Sequence, residues 1–349
     1  YERFEVVTVF TAPQPLLPDI LALHGKWRGD DDAVICDEGR LSWSQFCASN
    51  HQLANALVAA GIGVGDRVGV VMSNGLAMVQ ALFGTLAAGA VSVPINLSVS
   101  DDALLGMLED AGISALIVSE DQQHRLSALE ARLPAGLIRL TSGAAVDSWL
   151  ALDAFVAGQS QRQPRRDIPP DTALNIIYSS GTTGLPKGIV QTQRGRRDWA
   201  YDLALALRYH SGARTLLTIG LYSNISWVGM LCTLLVGGCI VVQRRFGAAA
   251  FLDTVASLRI THTAMVPVQY REVAALQAAE PRDVSSLQSM MSCGSPLHEG
   301  LKRRLFELFP CGVIELYGLT EGIITTLDPE VAASRLGSVG RPLPGTDLL

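Results

Sequence analysis

Residues 73–93 read SNGLAMVQALFGTLAAGAVSV, and residues 223–242 read SNISWVGMLCTLLVGGCIVV. Both open on a Ser-Asn pair suited to capping a helix, continue through an apolar run of helical length, stop at glycine and enter a short strand. The likeness extends downstream. A helical pattern around 104–108 and a strand at 115–118 follow the first stretch; a helix around Phe251 and Leu252 and a strand at 263–266 follow the second. One αβαβ unit recurs by chance in alternating chains, but shared order and near-equal spacing favour two related lobes, each a mostly parallel sheet covered by helices. The expected fold is therefore α/β, with a first lobe over 1–170 and a second over 171–325. Residues 326–349 begin a small β-rich subdomain. The polar stretch QSQRQPRRDIPP at 159–170 reads as the linker.

Composition sets the outer bounds. At 349 residues, 48% hydrophobic and 17% charged, the chain can bury a core in each lobe. A net charge of −6 argues against a surface that gathers nucleic acid or anionic lipid by bulk attraction, so an anionic ligand must be held locally. The six cysteines (36, 47, 232, 239, 293 and 311) form no CxxC pair. That spacing predicts neither a zinc site nor a disulfide framework, and a reducing cytoplasm fits it. No apolar run reaches the roughly 18 residues of a membrane span, and no leader pattern opens the chain. Tyr1 stands where Met is usual, so the sequence is expected to be a piece of something longer. Gly61-Ile62-Gly63-Val64-Gly65 follows a helix and precedes a strand, the reverse of a dinucleotide-binding loop, and is read as a turn.

The chemistry concentrates in SSGTTGLPKG, Ser179 to Gly188, directly after the apolar run Ala173-Leu174-Asn175-Ile176-Ile177-Tyr178. Glycines at a strand end let backbone N–H groups converge on an anion, while Ser179, Ser180, Thr182 and Thr183 add hydroxyls and Lys187 a point charge. This reads as a phosphate cradle at the ligand end of the second lobe's sheet. It is not a Walker A loop, because Pro186 precedes the lysine and Gly188 follows it. A second constellation, Tyr317-Gly318-Leu319-Thr320-Glu321-Gly322, combines an aromatic face for a purine, a hydroxyl for a phosphate and a carboxylate for the magnesium that accompanies polyphosphate. Taken singly, Tyr317 reads as core, Thr320 as a cap and Glu321 as a solvated charge. Together the two stretches describe a nucleotide site built from distant loops.

Taken together, YSSGTTGLPKG at 178–188 and YGLTEG at 317–322 resemble the signature motifs of the adenylate-forming superfamily, which includes acyl-CoA synthetases, peptide-synthetase adenylation domains and luciferases. Supporting matches run along most of the chain: Gly65-Asp66-Arg67-Val68, Pro94-Ile95-Asn96, Val266-Pro267, Gly294-Ser295-Pro296-Leu297 and Gly337-Ser338-Val339-Gly340-Arg341-Pro342. The resemblance implies that Ser179, Ser180, Gly181, Thr182, Thr183, Gly184 and Lys187 hold ATP phosphates. It implies that Gly294, Ser295 and Pro296 line the adenine slot, with Tyr317 and Gly318 against the base. Thr320 would bind the α-phosphate and Glu321 Mg²⁺, so that Lys187, Thr320 and Glu321 carry catalysis. The implied activity is ATP-dependent conversion of a carboxylic acid to acyl-adenylate with release of pyrophosphate, then transfer to coenzyme A. A carrier-protein thiol as acceptor, and a nucleotide-binding protein without turnover, remain alternatives; a P-loop ATPase or kinase is the reading from another class.

Substrate class is read from 216–229. That stretch contains no acidic residue to pair a substrate ammonium, so a plain acid with an apolar or aromatic body is expected. Gly220 and Ser223 stand where the resemblance leads one to expect proline and histidine. Tyr222, Ser223, Trp227, Met265, Gln269 and Met291 are the pocket candidates, and ordinary core packing is an equally good reading of the large apolar ones. The sequence ends at Leu349, ahead of the ribose-gripping aspartate and the small C-terminal domain that the resemblance implies. The 349 residues are thus read as the large N-terminal domain without its lid, with little turnover of its own. Oligomeric state is not legible.

Overall fold

Most of the strands are built on short β-branched runs. In this computed structural model, which describes residues 14–179, 186–332, 334–344 and 346, they are, in chain order, β1 (Asp32–Cys36), β2 (Gly39–Ser42), β3 (Arg67–Val71), β4 (Val91–Pro94), β5 (Ala115–Val118), β6 (Ile138–Thr141), β7 (Leu150–Ala151) and β8 (Ala173–Ser179). The second half adds β9 (Lys187–Thr192), β10 (Arg214–Leu217), β11 (Cys239–Val242), β12 (His262–Met265), β13 (Ser289–Ser292), β14 (Ile314–Gly318), β15 (Ile324–Leu327) and β16 (Arg341–Pro342). Seven form one sheet, ordered β7-β6-β5-β3-β4-β8-β9, and nine form another, ordered β16-β15-β14-β13-β12-β10-β11-β1-β2. Both are parallel inside and carry antiparallel strands at their margins. The α/β expectation holds, and each quoted stretch has the expected order. Helix Leu76–Ala87, β4, helix Asp101–Ala111 and β5 in one sheet match helix Asn224–Leu235, β11, helix Ala248–Leu258 and β12 in the other.

Sheet membership, however, does not follow the division at 170. The β1–β2 hairpin comes from the first half but pairs through β1 with β11, Val34 opposite Ile240. β8 comes from the second half and pairs with β4, Asn175 opposite Ser92. The halves exchange a hairpin. Ser179 at the end of β8 and Lys187 at the start of β9 face each other across an antiparallel pair. The described flanks of the phosphate stretch, Ser179 and Lys187, therefore lie in the sheet of the first lobe rather than that of the second, a correction to their expected place. Alternation identifies a strand but says nothing about which edge it joins. β15 and β16 likewise extend the nine-stranded sheet rather than opening a separate unit.

Alternate side chains along each inner strand divide between layers, as the period of two requires. Val34, Leu217, Ala264 and Met291 of one sheet and Val68, Val70 and Ile117 of the other point into a shared core with helices Trp43–Ala59, Leu76–Ala87 and Asn224–Leu235. Ile35, Leu216, Met265 and Met290 point to the far side, under helices Ala248–Leu258 and Pro267–Ala279. Val71, Leu116 and Val118 do the same under Asp101–Ala111. Helices thus lie on both outer faces and between the sheets. Among the described residues none is long and apolar enough to cross a membrane.

One buried histidine gives this core a pH limit. His262 opens β12 with Nδ1 2.7 Å from the Thr261 hydroxyl and Nε2 3.2 Å from the Arg208 carbonyl, its ring stacked 4.2 Å from that of Tyr209. Burial pushes its pKa down to about 4, against the opposing bond to the Arg208 carbonyl and with a smaller push from His210. The folded value lies below the unfolded one. Its stabilisation is therefore complete above about pH 6.5 and is lost as pH falls toward 4, an effect of about 3 kcal/mol. Urea unfolding should show a stability plateau above pH 7 and a decline from about pH 6.5 to 4.5 that His262→Gln makes shallower; an equal slope in both proteins would remove His262 as the cause.

Candidate active site

The strand ends of the two sheets meet around a cavity of about 360 Å³. Its walls come from Pro94 at the end of β4 and Asn96 beyond it, Tyr178 and Ser179 at the end of β8, Trp199 on helix Gln193–Ala206, and Tyr222 to Ile225 entering helix Asn224–Leu235. Cys293 and Gly294 after β13, Gly318 at the end of β14, and Leu319 and Thr320 beyond it add to them. A slot of about 350 Å³ adjoins it, formed by Gly294, Ser295, Pro296, Tyr317, Gly318 and Val339. Cys293, Gly294, Leu316 and Gly318 line both spaces, so one ligand can occupy the two.

Local packing explains the glycines. Gly294 has φ +93°, and a Cβ there would come 3.0 Å from Ile225 Cδ1. A Cβ on Gly318 would lie 2.5 Å from the Ile323 carbonyl oxygen. Only glycine lets these turns approach as they do. Gly220 has a similar origin, because a side chain there would run into the Tyr222 ring.

A buried ion pair holds the slot. Lys302 Nζ donates to Glu315 Oε2 at 2.6 Å and to the Leu336 carbonyl at 2.6 Å, while Glu315 Oε1 accepts from the Leu297 N–H at 2.9 Å. One carboxylate thus ties together β14, the turn after Pro296 and helix Glu299–Leu308, with its lone pairs used rather than orphaned. A second tie crosses between the sheets: Gln191 Nε2 on β9 donates to the Thr320 carbonyl at 2.6 Å. It fastens the loop carrying Thr320 and Glu321 to the strand that begins at Lys187.

The structure thus brings together Ser179, Gly294, Ser295, Pro296, Tyr317, Gly318 and Thr320, with Tyr222 and Ser223 on the cavity wall. Ser180, Gly181, Thr182, Thr183 and Gly184 lie outside the described residues. Lys187 and Glu321 are exposed nearby in the chain. Four pocket candidates are corrected. Met265 points to the outer face of its sheet, since Ala264 takes the inner one. Met291 faces inward but is consumed by the shared core, as is Trp227, which packs against Phe83 at 6.3 Å between ring centroids. Gln269 donates to Thr218 Oγ1 at 3.2 Å and accepts from the Val266 N–H at 3.4 Å, next to the start of its own helix.

Sequence reasoning missed Gln191, Lys302 and the partner of Asn224. Asn224 lines the cavity, and its Oδ1 accepts from Arg196 Nη2 at 2.7 Å. Arg196 Nε reaches Asn175 Oδ1 at 3.3 Å, and the guanidinium lies 4.5 Å from the Trp199 ring centroid. Burial brings the Arg196 pKa down to about 9. Its position three residues after Gln193 on the buried face of that helix was the available signal, masked by the polar run QRGRRD.

Comparison with known proteins agrees with this geometry. Residues 23–349 match the model of the AMP-binding enzyme family. The chain belongs to that family. A fatty acid–[acyl-carrier-protein] ligase of Streptomyces coeruleorubidus is 28% identical over 93% of this chain and 63% of its own length. A feruloyl-CoA synthase of Amycolatopsis is 31% identical over 88% of this chain and 60% of its own. The chain spans about six tenths of the length of these curated relatives. Among solved structures, an anthranilate CoA ligase bound to anthranoyl-AMP superposes with TM-score 0.86 at 23% identity, covering 95% of this chain and 64% of that one. The N-terminal domain of FACL13 from Mycobacterium tuberculosis gives 0.85 at 22%, covering 95% and 83%. These two likenesses bear on the fold of this AMP-binding enzyme.

The new place of Trp227 has a measurable consequence. Trp227→Ala should lower unfolding free energy by about 3–5 kcal/mol, the usual cost of emptying a buried aromatic site. A variant of native stability in urea with an altered ligand profile would return Trp227 to the cavity wall.

Proposed function

We propose that this AMP-binding enzyme activates a carboxylic acid with ATP, forming an acyl-adenylate and releasing pyrophosphate, and that the acyl group then passes to the thiol of coenzyme A. The observation that carries the reading is the wall that slot and cavity share, Cys293, Gly294, Leu316 and Gly318, with Thr320 on the cavity side held by Gln191. A base-sized slot lies on one side of that wall and the cavity on the other, and an α-phosphate joining base and acid would sit beside Thr320. In-line attack of a carboxylate on that phosphorus develops charge on the phosphoryl oxygens and on the pyrophosphate. Positioning and fixed electrostatics then account for most of the acceleration.

In this reading Tyr317 covers the adenine, Thr320 donates to the α-phosphate, and Lys187 with the Ser179–Gly184 stretch neutralises the leaving phosphates. Glu321 is exposed, and among the described residues it makes no ion pair and belongs to no three-residue metal cluster. A single free carboxylate fits Mg²⁺ that arrives with ATP, since that ion is commonly held by one or two carboxylates plus phosphate oxygens. When bound, it would offset phosphate charge. The relatives' names include ferulate, hydroxybenzoate and anthranilate. A compact cavity bordered by Trp199, Tyr222, Ile225 and Val228 suits such aryl acids better than a long alkyl chain.

Pyrophosphate release by the full-length protein, assayed across aryl, short-chain and long-chain acids, tests the reading. Aryl acids should give acid-dependent pyrophosphate, and Glu321→Gln or Lys187→Ala should each lower the rate by about 10²-fold without changing the unfolding midpoint, the scale of losing one preorganised electrostatic contact. Release of ADP or of inorganic phosphate alone would replace adenylation with a kinase or ATPase reaction. Normal turnover in Glu321→Gln would remove its magnesium role.

A further inference from the structure

The buried cation behind Asn224 has no counter-charge among the described residues. Arg196 is 1% exposed, and among the described residues no carboxylate pairs with it; its recorded acceptors are the amide oxygens of Asn175 and Asn224. Taking a guanidinium out of water without an anion is costly, and proteins seldom do so. Around it lies a second anomaly. Ser92 Oγ, Asn175 Nδ2, both side-chain polar atoms of Gln193, and Trp227 Nε1 are buried without a partner. Each belongs to this neighbourhood: Ser92 pairs with Asn175 across β4 and β8, Gln193 sits one helical turn before Arg196, and Trp227 lies 5.8 Å from the guanidinium. Ser92, Asn175, Gln193 and Trp227 do not line the cavity, so a ligand meets this cation only through the hydrogen-bond partner that does, Asn224.

The link to the cavity is Asn224. Arginine can only donate, so the atom facing it must be the amide oxygen, and the Asn224 NH₂ is what remains to offer the cavity it lines. Nothing among the described residues accepts from that NH₂. A neighbouring cation polarises the amide and makes it a better donor. Trp199, which also lines the cavity, carries the guanidinium on its face and supplies a flat apolar wall beside the donor.

Building on the acid-activating function proposed above, we infer that Arg196, acting through Asn224, selects aromatic acids whose ring carries an oxygen acceptor, a phenolic hydroxyl or phenolate, over acids with an unsubstituted ring. Arg196 is a positioning residue. The donor that meets the ligand belongs to Asn224.

Calorimetric titration with sulfamoyl-adenosine analogues of benzoate, 3-hydroxybenzoate and 4-hydroxybenzoate tests this without requiring turnover. The better hydroxy isomer should bind about 10- to 100-fold more tightly than the benzoyl analogue, as expected where a built polar site rejects a ligand that leaves it unpaired. Arg196→Met should compress that ratio to within about threefold while keeping the affinity for the benzoyl analogue and the unfolding midpoint, because removing an unpaired buried charge relieves desolvation. Arg196→Lys, which keeps a donor cation, should retain part of the preference. Asn224→Ala should abolish it, which keeps the test open if Arg196→Met fails to fold. Equal binding of hydroxy and benzoyl analogues by the unaltered protein, or an undiminished ratio in Arg196→Met, overturns this inference alone. Failure of all three analogues to bind overturns the acid-activating reading and this one with it.

Discussion

Helices enclosed between two sheets have almost no face left for water, and this constraint governs the rest of the molecule. Helices Leu76–Ala87 and Asn224–Leu235 are buried along most of their length and have no polar stripe to orient them. Close approach replaces amphipathicity as the determinant of packing. A Cβ on Gly84 would stand 2.8 Å from the Leu53 side chain, and one on Gly229 would stand 2.6 Å from Leu217 Cδ2. A polar group admitted to such a layer must be satisfied inside it or serve something that enters from outside. Asn74 shows the first outcome. Its Nδ2 donates to the carbonyls of Ile219 and Gln243, and its Oδ1 accepts from the Leu221 N–H, closing one sheet onto the other. Arg196 leads toward the second, since one of its two amide partners, Asn224, lines the cavity.

Exchange of hairpins between the halves makes the site possible. Since β8 and β9 lie in one sheet and β14 in the other, residues 179 and 187 come from one body of the protein while Tyr317 and Thr320 come from the other. Gln191 is the short direct bond between them. Rotation of one sheet against the other would part the phosphate-bearing strand from the loop meant to face it. A reaction that depends on positioning charges around a phosphoryl group is sensitive to displacements of that size. The buried Lys302–Glu315 pair performs the complementary task within one sheet, tying β14 to helix Glu299–Leu308, the Leu297 N–H and the Leu336 carbonyl.

Legibility in the sequence follows the range of the interaction concerned. SSGTTGLPKG and YGLTEG could be read because their chemistry is local: glycines, hydroxyls and a charge within a few residues of a strand end. The order of helices and strands was readable for the same reason, since caps and glycine stops are local signals. Met265 and Met291 could not be assigned to a face, because facing depends on strand parity relative to a sheet whose neighbours come from elsewhere in the chain. Lys302 reads as a solvated charge in EGLKRRLFEL, and only the return of β14 beside its helix gives it Glu315. Arg196 is hidden by its own company, since a helix beginning QRGRRD looks like a water-facing one, whereas Gln193, Arg196, Arg197 and Ala200 form its buried face.

The two ends of the site differ in their surroundings. Lys187 and Glu321 are exposed, and water screens their charges until a ligand displaces it. The acyl end is enclosed by Trp199, Tyr222 and Val228, where the low local dielectric makes each donor stronger and each unpaired donor more costly. Discrimination belongs at that end, because one hydrogen bond gained or lost there is felt nearly whole. The two ends are nonetheless joined structurally. Gln191, which holds the Thr320 loop, pairs across β8 and β9 with Asn175, the residue that accepts from Arg196, and the helix bearing Arg196 follows β9 directly, so a change at the buried cation is passed to the strand that faces Thr320.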